Sequence, residues 1–160
     1  SAHLYEEDLA EGLRRGDRTM DDLEVQTGAT LCLTDDVGAA LDAVRPGVAM
    51  RVGGYGTASH NFHYDAMVRR GFGEAADRIV ELFVAGRREE AAAAVPDDYL
   101  DDGALVGSRR RITERFEQWC ATVTTGLTVR PSTVDEMELM AELAECEPRP
   151  DVEVPPGPTF

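Results

Sequence analysis

The sequence predicts a helix-rich α/β chain that supplies part of a parallel α/β barrel. Two apolar, β-branched runs carry this reading: residues 23–33 (LEVQTGATLCL) and 126–130 (GLTVR), each followed by a helix. Around them lie six or seven helical segments. Two isolated buried strands make a poor sheet, because their backbone groups need partners on both sides. They therefore read as members of a larger parallel sheet.

The elements follow in order. Residues 4–15 form a helix, with Tyr5, Leu9 and Leu13 four apart and Gly16 as its stop. The run 23–33 is the clearest strand, dense in apolar residues at its end, as burial on both faces requires. Thr34, Asp35 and Asp36 offer capping oxygens and early negative charge to a helix running to about Val44. Arg45, Pro46 and Gly47 should interrupt it, and the glycine-rich stretch 52–60 should be loop. A short helix spans 61–70, and an amphipathic one spans 74–85 through Ala75, Ile79, Leu82 and Phe83. Residues 88–94 are alanine-rich helix, and Pro96 opens another short turn. Residues 109–123 carry one apolar stripe of Ile112, Phe116, Trp119, Cys120 and Val123, with Phe116 and Trp119 read as core. Thr133 and Glu136 form a capping box for the last helix, to about Ala144. Residues 1–146 thus make the domain portion. The tail 147–160, with five of the eight prolines and no periodicity, reads as disordered.

Composition narrows the function classes. Thirty-one Asp and Glu face 16 basic residues, a net charge of −15, which argues against phosphate-backbone binding by nucleic-acid readers. Every basic residue is Arg; there is no Lys. Such acidity resembles the cytoplasmic proteins of halophiles, where a large net charge maintains solubility and salt screens self-repulsion. Codon bias in a GC-rich genome is the alternative. Cys32, Cys120 and Cys146 are scattered, without a CxxC pair, which suits buried thiols in a reducing cytoplasm. His60 and His63 lack nearby third and fourth ligands, so no metal is expected. No 18-residue apolar run or leader pattern appears, so no membrane insertion is expected. The chain begins at Ser1 without Met, which fits processing or a longer parent.

The ordered series of motifs resembles the C-terminal half of a luciferase-like oxidoreductase, within the coenzyme F420-dependent branch. The residues that carry it are EEDLAEGLRRG, EVQTGATLCLTDD, ALDAVRPGVAMRVGGYG, the segment from HNFHYDAMVRRGFGE to ALVGS, and TTGLTV, over residues 4–145. No single motif is diagnostic; the ordered series is moderately specific. The resemblance implies the C-terminal part of a (β/α)8 TIM barrel with an insertion before the last strand. It also implies a small-molecule substrate and hydride transfer or monooxygenation with F420, or alternatively FMN. Two strands cannot close such a barrel. The N-terminal half must come from a longer chain or from a partner chain; a non-catalytic half-barrel subunit and a homo-oligomer are further expectations.

Barrel geometry suggests where chemistry sits. Thr34 and Arg130 follow the two predicted strands, at the end that carries the site in barrel enzymes. The helix from Arg109 opens on the same face, so Gly107, Ser108, Arg109 and Arg110 offer free N–H groups, a dipole end and guanidinium groups. These suit a phosphate or carboxylate; F420 carries both and FMN a phosphate. Alternatively, the arginines pair with surface carboxylates. The glycine-rich stretch supplies Tyr55, His60, Asn61 and His63 as candidate substrate contacts, with either histidine able to act as a general acid. The alternative there is helix capping and surface packing.

Overall fold

The computed structural model describes residues 2–56 and 60–146. The predicted disordered tail and residues 57–59 of the glycine-rich stretch lie outside the described residues.

A short 3-10 turn (Ala2–Tyr5) leads into α1 (Glu6–Arg15). Three carboxylates in its first turn and Arg14 and Arg15 in its last complement the helix dipole. The single strand predicted over 23–33 is two, β1 (Gln26–Gly28) and β2 (Thr30–Leu33). The break at Ala29 marks a change of partner. β1 pairs in parallel with the strand Gly126–Thr128, Gln26 opposite Gly126. β2 pairs in parallel with β3 (Ala104–Gly107), Thr30 opposite Ala104 and Leu33 opposite Gly107. The strand Gly126–Thr128 is β4 in chain order.

β3 has no counterpart among the predicted elements. All four of its residues are buried, so no polar alternation betrays it. Its side chains nevertheless alternate between two cores. Ala104 and Val106 join Cys32 against the helices of the insertion, while Leu105 joins Leu31, Ile112 and Leu139 on the opposite face. The sheet is thus sandwiched, and the predicted α/β class holds, with four short strands in parallel pairs among the described residues rather than two.

The largest departure is α2 (Val37–Gly54), which continues through Pro46 and takes in Gly53 and Gly54. An interior proline costs a helix about 3 kcal/mol. Against that, Leu41, Val48, Ala49 and Val52 are all buried, each contributing about 1–3 kcal/mol, so packing wins. Arg45 anchors the turn before the proline by pairing with Asp42 and Asp97 and donating to the Val95 carbonyl. The insertion then packs α3 (Phe62–Arg69), α4 (Gly73–Val84), α5 (Arg88–Ala93) and α6 (Asp97–Asp102) on α2. Pro96 caps α6 rather than opening it.

α7 (Arg109–Cys120) ends short of the predicted Val123, and α8 (Val134–Leu143) begins at the predicted capping box of Thr133 and Glu136. Phe116 and Trp119 pack half-buried against the second core. The expectation of buried thiols is corrected: Cys120 and Cys146 are exposed and only Cys32 is partly covered.

The course of α2 sets the geometry of everything that follows. At its start, the Val37 side chain lies 3.4 Å from where a Cβ on Gly107 would be, at the end of β3. Further along, Gly47, Val48 and Arg51 share a cavity with Thr30 and Gly103, at the starts of β2 and β3. The helix therefore runs antiparallel to both strands. At 1.5 Å per residue, Val37 and Arg51 stand about 21 Å apart.

Candidate functional site

At the strand-end face, β2 delivers Thr34, whose backbone N–H donates to the Gly107 carbonyl at 3.0 Å. Gly107 has φ +128, in the region that favours glycine, and a Cβ there would meet the Arg111 side chain at 2.8 Å. Ser108 then caps α7, its hydroxyl accepting from the Arg111 N–H at 3.4 Å. Arg109 pairs with Glu142 and Arg110 with Glu114, at 2.8 and 2.7 Å. All four of these groups are substantially exposed, so each pair contributes at most about 1 kcal/mol and can be exchanged for a stronger anion. Arg111 is different: it forks onto both oxygens of Asp101 at 2.9 and 2.8 Å and is half-buried.

Three helices begin at this face. Asp36 caps α2, accepting from the Ala39 N–H at 2.9 Å. Thr133 caps α8. Between α8 and the end of β2 sits Glu136, only 2% exposed, the one buried charged residue among those described. Its carboxylate accepts from the N–H of Leu33 (2.9 Å), the N–H and hydroxyl of Ser132 (2.7 and 2.8 Å) and the N–H of Thr133 (3.3 Å). Burial pushes this carboxyl upward in pKa, but the hydrogen bonds from Leu33, Ser132 and Thr133 together hold it below the usual glutamate value. The sequence shows Glu136 only as half of a capping box; its second task, tying α8 to β2, has no local signal.

Arg130 lies two residues before Ser132, which Glu136 ties to Leu33. It follows β4, but β4 ends with Thr128 opposite Gly28, well short of the end of β2. The two predicted strand ends are therefore not level, because β4 pairs with the first half of the long strand only.

The second group of candidates gathers at the other end of α2. Asn61 caps α3, accepting from the Tyr64 N–H at 3.1 Å, and its amide donates to the Val52 carbonyl at 2.6 Å. It welds α3 to the last turns of α2. The His63 ring lies 4.0 Å from Phe62 and 5.8 Å from Tyr55, centre to centre. Burial first, and then the Arg51 charge, lower the His63 pKa below its ordinary value. His60 lies at the start of the same segment. A cavity of about 510 Å³ opens here, lined by Tyr55, Asn61, Tyr64 and Asp77 among others. Tyr64 donates to Asp77 at 2.6 Å, and that bond, together with burial and the charges of Asp77 and Asp65, keeps the phenol protonated. The structure thus separates Tyr55, His60, Asn61 and His63 from Thr34 and the start of α7 by most of the length of α2.

Among the described residues there is no cluster of three or more His, Cys, Asp or Glu suited to a metal ion. Nor is any helix among them long and apolar enough to cross a membrane.

Comparison with known proteins adds two findings. A family model described as luciferase-like monooxygenase matches residues 2–126. A protein of Mycobacterium tuberculosis, provisionally named a coenzyme F420-dependent oxidoreductase, is 33% identical over 144 residues. The match takes in 89% of this chain and 42% of that relative, so the chain spans well under half of the relative's length.

Proposed function

This chain belongs to the luciferase-like monooxygenase family, and from that premise we propose that it forms the C-terminal portion of a TIM-barrel oxidoreductase using coenzyme F420, with FMN as the alternative. The observation that carries the cofactor choice is the 33% identity, over 89% of the chain, to a relative named for F420. The substrate in this reading is a small molecule, taken up with the rest of the barrel in place.

The strand-end face fits such a cofactor. Gly107 turns the chain into α7, its missing side chain leaving room for Arg111; Ser108 and the first turn of α7 offer a dipole end, and Arg109 and Arg110 are exposed guanidinium groups in weak pairs. These residues would hold the phosphate or carboxylates, and Thr34 would stand beside them at the end of β2. The cofactor when bound supplies the hydride chemistry; the protein orients it and excludes water. Tyr55, Asn61 and His63, substrate contacts that the sequence suggests, gather at the far end of α2.

The test is a fluorescence titration of F420, and separately of FMN, with the chain in its full-barrel form. Saturable quenching by F420 is expected. The pair of substitutions Arg109→Gln and Arg110→Gln should weaken it about tenfold, equivalent to about 1.4 kcal/mol. If neither cofactor binds, the reading is wrong. A second reading, a non-catalytic half-barrel that binds a partner barrel chain, is favoured by the strand count, since four short strands in separate pairs cannot close a barrel. Co-purification of a barrel chain without any cofactor binding would support it.

A further inference from the structure

At the strand-start end of the sheet, α2, α3 and α6 enclose a second cavity, of about 420 Å³. Its wall is unusual for a chain of net charge −15: it carries Arg51, His63 and Arg70 but no carboxylate. Most arginines here are paired. Arg51 is not: among the described residues no carboxylate lies within ion-pair distance of it. Its side chain folds back along α2, with Nη1 3.4 Å from where a Cβ on Gly47 would stand, so the guanidinium lies over the cavity wall.

Arg70 is largely committed. Its Nη2 donates to the Tyr99 carbonyl at 2.8 Å and to Asp102 at 2.9 Å, and its guanidinium stacks 3.9 Å from the Tyr99 ring centre. Its Nε, however, is buried and has no hydrogen-bond partner. A buried donor without an acceptor costs about 1–3 kcal/mol. An unpaired arginine and an imidazole, with the Arg70 side chain beside them, therefore line one cavity of the size that takes a small ligand.

We propose that this cavity binds the phosphate group of a small molecule, held by Arg51 and His63, with the charge of Arg70 on the same wall. The position is opposite to the strand-end face assigned to the cofactor, so the proposal stands apart from that reading. Phosphate is favoured over a single carboxylate because its second charge answers the imidazolium that it stabilises beside Arg51, and its several oxygens reach both side chains at once. Arg51 from α2, Arg70 at the end of α3 and Tyr99 from α6 share the cavity wall with His63, and the Phe62 and Tyr55 rings pack against it. No carboxylate is among them, so a bound dianion would govern the titration of the imidazole. It favours the imidazolium, and binding should strengthen as pH falls toward the His63 midpoint of the complex.

The experiment is an NMR titration of the histidine Cε1 protons of the full chain, with inorganic phosphate exchanged for chloride at constant ionic strength. His63→Gln assigns the resonance, and His3 is the internal control. Phosphate should raise the His63 midpoint saturably by about one unit and leave His3 in place. Arg51→Gln, a change at an exposed side chain, should raise the phosphate-free midpoint and remove most of the phosphate response. An absent shift, an equal shift at His3, or an undiminished response in Arg51→Gln would each overturn the proposal. An equal response to acetate would overturn the choice of phosphate.

Discussion

Glu136 is the residue on which most of the strand-end face depends. It collects four donors from two elements while nearly excluded from water. Glu136→Ala leaves the partly buried N–H of Leu33 without its acceptor and unties α8 from β2, and should cost about 1–3 kcal/mol in urea unfolding. The pH dependence has a definite sign. Because the folded carboxyl titrates below its unfolded value, its contribution is complete above the ordinary glutamate pKa and disappears as pH falls through the folded one. Glu136→Gln should therefore flatten the acid limb of the stability curve below about pH 4.5. An unchanged limb would mean other carboxylates govern acid unfolding. The capping box is legible in the sequence, from Thr133 and Glu136 at the right spacing. The link from Glu136 to Leu33, 103 positions away, is not.

At the scale of elements, α2 is where local signals and packing disagree. Pro46 and the glycines of GGYG are breakers by propensity, and local signals alone end the helix near Val44. In the fold, Gly53 and Gly54 are helical because α4 crosses there with Phe83. A Cβ on Gly53 would stand 2.5 Å from the Phe83 Cβ, and one on Gly54 2.6 Å from its ring. Absence of a side chain, not a turn, is the reason for these glycines. Gly53→Ala should accordingly destabilise by about 1–3 kcal/mol in thermal unfolding, despite the better helix propensity of alanine. Phe83→Leu should recover part of the corresponding loss in Gly54→Ala, whose clash is with the ring, but little in Gly53→Ala, whose clash is with the Cβ and Cγ that leucine keeps. A stabilised Gly53→Ala would show that the contact relaxes freely. The amphipathic α4, with Ile79 and Leu82 on its buried face, and α8, with its cap, need no such correction because their local and tertiary preferences agree.

For the molecule as a whole, net charge outweighs any single surface contact. Ion pairs such as Arg15 with Glu11, Arg78 with Glu81 and Arg110 with Glu114 are exposed and individually weak. They cannot offset the repulsion of fifteen net negative charges. We propose a salt-adapted protein: its unfolding temperature should rise by about 5 °C between dilute buffer and molar potassium chloride. A flat or falling curve would mean that the ion pairs outweigh self-repulsion, and would remove the claim.

The sequence by itself determined the α/β class, the helices α4, α7 and α8 and the caps at Asp36 and Thr133, because each rests on residues within a few positions of one another, and the family resemblance, which rests on the order of such local motifs. Only the tertiary structure decided that β3 is a strand, that α2 passes Pro46, and that Thr34 and His63 stand at opposite ends of that helix. Those outcomes depend on burial between segments distant along the chain, and burial energy of several kcal/mol outranks local preferences of about one to three.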